Sequence, residues 1–300
     1  MKIARKSRGN ENETASRPAP ALARAGVRPA KSRGQNFLTS GAVADRILSA
    51  AELSESNAVI EIGPGLGILT EKIAARPRRS LTLVELDARL ATRLQERFAD
   101  ITKVEVVNAD FLSIDFPELV RNLSVKVIGN LPFNVAAAIL RRLSDNSRTI
   151  SRMVLMFQRE VAARIRATPG DDAYGALSVF TALYWRIDLH FTVAAGSFHP
   201  RPKVDAEVLA FTPRAIPLFA AHNEHDVLET VRAAFSAPRK TIRNALSHSL
   251  AIDSTRVARV LESAAIDPRV RAETLAVPDF LRLAHSLRTE LGAGIVARNA

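Results

Sequence analysis

The run Val59-Ile60-Glu61-Ile62-Gly63-Pro64-Gly65-Leu66-Gly67, followed by Ile68-Leu69-Thr70-Glu71-Lys72-Ile73-Ala74 at helical spacing, constrains the fold more than any other stretch. A short apolar strand that runs through a glycine turn into a helix is the opening unit of a sheet wound with helices on both faces. The glycines allow a tight turn and let a ligand approach the backbone at a helix N-terminus. A dinucleotide-binding turn has the spacing G-x-G-x-x-G, which would place its last glycine at position 68. That position is Ile68, and the glycine falls at Gly67 instead.

This spacing disfavours a pyrophosphate cofactor and suits the G-x-G-x-G turn of enzymes that use S-adenosyl-L-methionine. Polar residues recur at the ends of the strands that follow. Leu81-Thr82-Leu83-Val84 ends in Glu85, whose carboxylate is placed to accept ribose hydroxyls. Val104-Glu105-Val106-Val107 runs through Asn108-Ala109 to Asp110, placed to accept from the amine of a cofactor adenine. Each acid alone also suits a solvated strand end. Ligands of open α/β sheets bind beyond the carboxyl ends of the strands, and all of these features lie there in order.

A fourth strand, Val125-Lys126-Val127-Ile128-Gly129, leads into Asn130-Leu131-Pro132-Phe133-Asn134-Val135-Ala136. The Asn130 side chain and the Leu131 carbonyl are two acceptors for the two hydrogens of an exocyclic amine. Pro132 fixes its own φ and pushes Leu131 into an extended conformation, so that carbonyl is aimed. Phe133 offers a face on which a base stacks, a contact worth roughly 1–3 kcal/mol. Taken alone, the same residues also suit an ordinary loop with one buried aromatic. Combined with the glycine turn, they point to methylation of an adenine nitrogen.

Together these segments resemble the rRNA adenine N6,N6-dimethyltransferases, and Gly34-Gln35-Asn36-Phe37-Leu38, Val84-Glu85-Leu86-Asp87 and Asn108-Ala109-Asp110 carry the likeness as well. It continues through Tyr174-Gly175-Ala176-Leu177-Ser178-Val179, Phe198-His199-Pro200-Arg201-Pro202-Lys203-Val204-Asp205, Arg239-Lys240-Thr241-Ile242-Arg243-Asn244 and Arg271-Ala272-Glu273-Thr274-Leu275. Coverage from about position 34 to 287 favours the KsgA (RsmA) branch over the Erm branch, which modifies large-subunit rRNA. The resemblance implies S-adenosyl-L-methionine as cofactor, held by Asn36, Leu38, Gly63, Gly65, Glu85, Asp110 and Asn130. It implies dimethylation of two adjacent adenosines near the 3′ end of small-subunit rRNA during ribosome biogenesis, with Asn130, Leu131, Pro132 and Phe133 at the target base. Lys203, Arg239, Lys240 and Arg243 are the expected RNA contacts. Two positions depart from the branch's pattern: Phe133 replaces the usual tyrosine, and Pro238-Arg239-Lys240 keeps one arginine of a common pair. The alternatives weighed are an Erm-type enzyme and a non-catalytic RNA-binding assembly factor.

Charge agrees with a polyanionic partner. Forty-two basic and 31 acidic residues give a net charge of +11, and the pI is about 10.7. The excess is uneven, since residues 1–34 hold nine Lys/Arg and two Glu. That tail equally suits solvated disorder without a partner. There is no cysteine, so no thiolate metal site or cysteine nucleophile exists. His222 and His225 are the one close histidine pair and read as surface residues, so no metal is expected. No apolar run is long enough to span a bilayer, and a cytoplasmic monomer acting on the immature small ribosomal subunit is expected.

The expected organisation is a disordered basic arm over 1–33, a doubly wound, Rossmann-like α/β methyltransferase domain over 34–213, a small all-helical RNA-binding domain over 214–292 and a flexible tail over 293–300. Phe37 to Leu53 reads as a helix lying over the cofactor. A fifth strand spans Met153 to Phe157, followed by a basic helix from Arg159 to Ala167. Trp185–Val193 and Asp205–Phe211 read as a closing antiparallel pair. Helices are expected over Asp226–Ser236, Lys240–Leu250, Thr255–Ala265 and Pro278–Leu287. Arg239, Lys240 and Arg243 then form either a basic stripe or a solvated helix face.

Overall fold

The computed structural model describes residues 36–132 and 135–292. The expected arm, the expected tail and Phe133 lie outside these residues. Five strands run parallel: β2 (Ala58–Ile62), β3 (Ser80–Glu85), β4 (Val104–Asn108), β5 (Val125–Asn130) and β6 (Ile150–Gln158). Two more, β7 (Trp185–Val193) and β9 (Ala206–Pro213), pair antiparallel with one another, and β9 also pairs antiparallel with β6. The sheet order is β4-β3-β2-β5-β6-β9-β7, with β9 slotted between β6 and β7. From β2 the chain winds outward to β3 and β4, then returns to place β5 on the other side of β2. This reversal opens a crevice at the strands' carboxyl ends, the usual ligand site of such sheets.

Both sheet faces are covered, which explains why β6 reads as the unbroken apolar run Met153 to Phe157 rather than as an alternating one. On one face Ile60, Val127, Leu155, Phe157 and Phe211 pack with Leu140 and Leu143 of α5 (Ala136–Asp145). On the other, Val59, Leu83, Ile128 and Val154 pack with Ile47 and Leu48 of α1 (Gly41–Ala51) and Leu69 and Ile73 of α2 (Ile68–Ala74). Between β3 and β4, α3 (Ala88–Arg97) is capped by the Asp87 side chain, which accepts from Arg89 N. A short α4 (Phe116–Val120) precedes β5, and α6 (Arg159–Arg166) follows β6.

Phe37 to Leu53 is not one helix. Phe37–Leu38 forms β1, paired antiparallel with β8 (Phe198–His199), and α1 starts only at Gly41, with the Ser40 side chain accepting from Val43 N. The pairing partner lies some 160 positions away, so local periodicity carried no trace of it. A further helix, α7 (Ala176–Tyr184), was not expected. Its residues are apolar on nearly every side because it is buried between the sheet and the C-terminal helices, and it has no polar face to set a period.

The C-terminal region holds α8 (Glu224–Ala234), α9 (Ile242–Leu250), α10 (Ser254–Ser263) and α11 (Val277–Leu291). Their core includes Val231, Leu246, Leu261, Phe280 and Leu283, and also takes in Tyr174 and Val179 from the chain ahead of β7. The Tyr174 hydroxyl donates to the Leu275 carbonyl at 2.8 Å. Among the described residues, no helix is long and apolar enough to cross a membrane.

Candidate active site

The crevice beside β2 is a cavity lined by the glycine turn, by the ends of β3 and β5, and by the segment around β1. Gly63, Gly65 and Gly67 have φ of 66°, 57° and 80°, a region that residues with a Cβ seldom occupy. Gly65 is required twice over: a Cβ there would sit 2.8 Å from Cδ1 of Phe37, whose ring closes over the turn. The turn is also pinned from outside. Arg97, at the end of α3, donates through Nη1 to the Leu66 carbonyl at 2.9 Å and ion-pairs through Nη2 with Glu71 of α2.

Glu85, 5% exposed, extends from the end of β3 under this turn. Its Oε2 accepts from Gly65 N and its Oε1 from Asp87 N, both at 3.0 Å. Burial pushes its carboxyl pKa up, and these backbone donors pull it back. Glu61, one strand over and 1% exposed, also lines the cavity. Its Oε2 accepts from Thr70 Oγ1 of α2 at 2.7 Å. Burial pushes this carboxyl up to about 8, opposed by the Thr70 hydroxyl and reinforced by the neighbouring charge of Glu85. Neither glutamate has a cationic partner among the described residues.

At the end of β5, Asn130 donates through Nδ2 to the Asn36 carbonyl at 3.0 Å. Committing the amide nitrogen in this way makes Oδ1 the atom for a second partner, and Oδ1 can only accept. Leu131 donates its N–H to the Met156 carbonyl at 3.2 Å, and Val135 N closes the turn on the Pro132 carbonyl at 3.2 Å. The Leu131 and Pro132 backbone is therefore held from both sides, against β6 and within its own turn.

The cavity thus gathers Asn36, Leu38, Gly63, Gly65, Glu85, Asn130, Leu131 and Pro132. It does not gather Asp110. That carboxylate is exposed beyond β4, where Oδ1 accepts from Leu112 N at 2.9 Å and shapes the loop. Lys203 lines a separate open groove with Arg159 and Val204, between α6 and the loop leading to β9, held shut at one end where Arg159 N donates to the Asp205 carbonyl at 3.0 Å.

The helix expected from Lys240 begins instead at Ile242, because the Thr241 side chain caps it by accepting from Asn244 N. Arg239 and Lys240 sit in the preceding turn, so the three cations do not share one helical stripe. All three are exposed, and none forms an ion pair among the described residues. His222 and His225 do not share a helix face: α8 starts at Glu224, and the His222 ring lies 6.2 Å from that of His285. Among the described residues, no cluster of three or more His, Asp or Glu side chains is placed to hold a metal.

Sequence reasoning gave no role to Glu61, Phe37 or Arg97. A lone glutamate within an otherwise apolar, fully buried strand was the available signal for Glu61. Arg97 meets the turn only through the packing of α3, which no local pattern reports.

The sequence model of the ribosomal RNA adenine dimethylase family matches residues 28–289. A protein of Geobacter metallireducens named ribosomal RNA small subunit methyltransferase A is 39% identical, covering 87% of this chain and 96% of that protein. One of the same name from Syntrophotalea carbinolica is 40% identical, covering 87% and 97%. Among solved structures, a dimethyladenosine transferase from Plasmodium falciparum superposes with a TM-score of 0.72 at 24% identity, covering 85% of this chain and 98% of that one, a likeness of fold. The 23S rRNA methyltransferase ErmE gives 0.62 at 29% identity, covering 84% and 99%. Matched over nearly its whole described length, the chain belongs to the ribosomal RNA adenine dimethylase family.

Proposed function

We propose that this family member transfers methyl groups from S-adenosyl-L-methionine to N6 of two adjacent adenosines near the 3′ end of small-subunit rRNA, as a cytoplasmic monomer acting on the immature subunit. The observation that carries this reading is Asn130, whose bond to the Asn36 carbonyl commits its nitrogen and leaves the acceptor Oδ1 for an exocyclic amine. The cofactor supplies a methyl group on a sulfonium, a good leaving group. Its fit rests on the glycine turn that admits close approach, and on two buried carboxylates with no cationic partner among the described residues.

The chain's residues do the rest. The lone pair of adenine N6 is delocalised into the ring, so placement matters more than basicity. Asn130 Oδ1 and the Leu131 carbonyl take the two amine hydrogens and favour a more pyramidal nitrogen, while Pro132 holds the geometry. The target base is splayed out of its stack to reach them, with Phe133 as its platform. No strong base is needed, because the proton leaves after transfer. Glu85 serves the ribose hydroxyls; Asp110, which lies beyond the cavity lining with Oδ1 held by Leu112 N, meets the cofactor adenine only if the bound cofactor extends past that lining to Oδ2. Relatives at 39–40% identity that are named for the small subunit support that target over the large one.

The test offers immature small subunits and naked large-subunit rRNA to the purified protein, with mass spectrometry of the products. Two dimethyladenosines in the small-subunit rRNA are expected. Methylation confined to large-subunit rRNA, or cofactor binding without any transfer, overturns the reading.

Arg239, Lys240 and Arg243 supply the expected grip on phosphates. Each phosphate contact releases counterions, so the triple alanine variant should flatten the slope of log affinity against log salt by roughly 2–3, given about 0.7–0.9 per contact. RNA affinity measured at several salt concentrations reads this directly, with cofactor affinity unmoved. An unaltered slope would assign these cations to a solvated face.

A further inference from the structure

Two buried carboxylates, Glu61 and Glu85, stand near the carboxyl ends of neighbouring strands on one cavity, and among the described residues no cation pairs with either. Their surroundings differ. Glu85 is answered by two backbone N–H groups, whereas Glu61 has the Thr70 hydroxyl at 2.7 Å. A buried carboxyl with so little to stabilise its charge is held in its neutral form. Resting on the cofactor reading above, we propose that Glu61 is a specificity-determining residue that senses the charge of the ligand: it keeps its proton in the empty cavity and releases it to solvent when a sulfonium ligand enters.

The charged groups around Glu61 make this workable. Glu85, at the end of β3, is acidic and disfavours its ionisation, and Asp87 just beyond it disfavours that of Glu85 in turn. On α2, Lys72 is taken by Asp45, and Glu71 by Arg97. Arg97 reaches the glycine turn but spends its other nitrogen on the Leu66 carbonyl. On β5, Lys126 is turned to the far end of the strand, where it donates to the Ala51 carbonyl. Among the described residues, none of these groups neutralises Glu61, and a cationic ligand in the cavity would supply the positive charge they do not.

Transfer of the methyl group would turn the sulfonium into a neutral thioether, so that the ligand loses one positive charge and keeps only its ammonium. Glu61 then takes a proton back from solvent, and the product loses an attraction that the cofactor enjoyed. The residue thereby favours the loaded cofactor over its spent form without touching the methyl group.

The sign of the pH dependence follows. The carboxyl titrates near 8 in the empty enzyme and lower beside a bound cation. Binding therefore releases a proton in the window between those two values. Sulfonium affinity rises with pH up to about 8, by at most roughly tenfold per pH unit, and is flat above.

The experiment is calorimetry on the full chain at pH 7, in two buffers of different ionisation enthalpy, with S-adenosyl-L-methionine and with S-adenosyl-L-homocysteine. Substantial proton release is expected with the first and clearly less with the second. In Glu61→Gln the release should vanish, and the preference for the sulfonium over the thioether should fall roughly tenfold. Thr70→Val, which keeps the shape but removes the hydroxyl that favours the charged form, should move the affinity midpoint to higher pH even if Glu61→Gln fails to fold. Equal proton release for both ligands, or release that persists in Glu61→Gln, overturns the assignment. Tight binding of both ligands without any proton release sinks it while leaving the cofactor reading intact; no binding of either sinks both.

Discussion

Asn130→Ala is expected to lower methyl transfer on the order of a hundredfold, about 2.7 kcal/mol of transition-state stabilisation. The reasoning follows the hydrogen bond to Asn36. A side chain whose nitrogen is fixed 3.0 Å from a carbonyl presents its oxygen at a defined place, and an acceptor that need not reorganise is worth more than one that must. Alanine removes the acceptor and the anchor together. Asn130→Asp separates them, because it keeps an acceptor but has no donor for the Asn36 carbonyl, and its activity should fall between the two. Single-turnover transfer at saturating cofactor is the measurement, since Asn130 also lines the cofactor cavity. A decrease of less than about threefold, roughly 0.7 kcal/mol, would show that the amide does not orient the target amine.

The parts of this site that the sequence reveals are those set by short-range pattern. Glu85 and Asn130 stand at the ends of apolar strands, and a parallel sheet places strand ends side by side whatever the helices between them do. The glycine spacing similarly marks a turn by its own conformational demand. What escapes is set by partners distant in the chain. Phe37 and Leu38 leave the helical pattern because β8 claims them, and Phe37 becomes the roof over Gly65. Glu61 reads as one acid in an apolar strand until Thr70 is seen to be the hydroxyl that answers it. Asp110 shows the converse: the strand-end rule places it correctly after β4, yet its carboxylate turns to Leu112 in its own loop and lies outside the cavity lining. The two-residue shift at the start of α9 has a local cause, since a threonine that caps competes with a lysine that extends the helix.

Gly65→Ala should lose cofactor affinity by tenfold or more, for two reasons that experiment can separate. The first is backbone strain. At φ of 57° an alanine pays roughly 1–2 kcal/mol that glycine does not. The second is steric: the new methyl would lie 2.8 and 3.0 Å from two ring carbons of Phe37, so either the roof lifts or the turn shifts. A shifted turn would also pull Gly65 N away from Glu85 Oε2, leaving a buried carboxylate with one backbone donor fewer. Gly170→Ala is the control, because Gly170 also has positive φ, 95°, but has no atom within 4 Å of the added methyl. It should lower thermal stability while leaving cofactor binding unchanged. Phe37→Leu combined with Gly65→Ala should recover the steric part of the loss but not the strain, so the two substitutions should be non-additive. Calorimetry with S-adenosyl-L-homocysteine on the four variants decides the matter. If Gly65→Ala binds within threefold of the parent, the turn tolerates a side chain there, and the cradle does not depend on contact between Phe37 and a bare glycine.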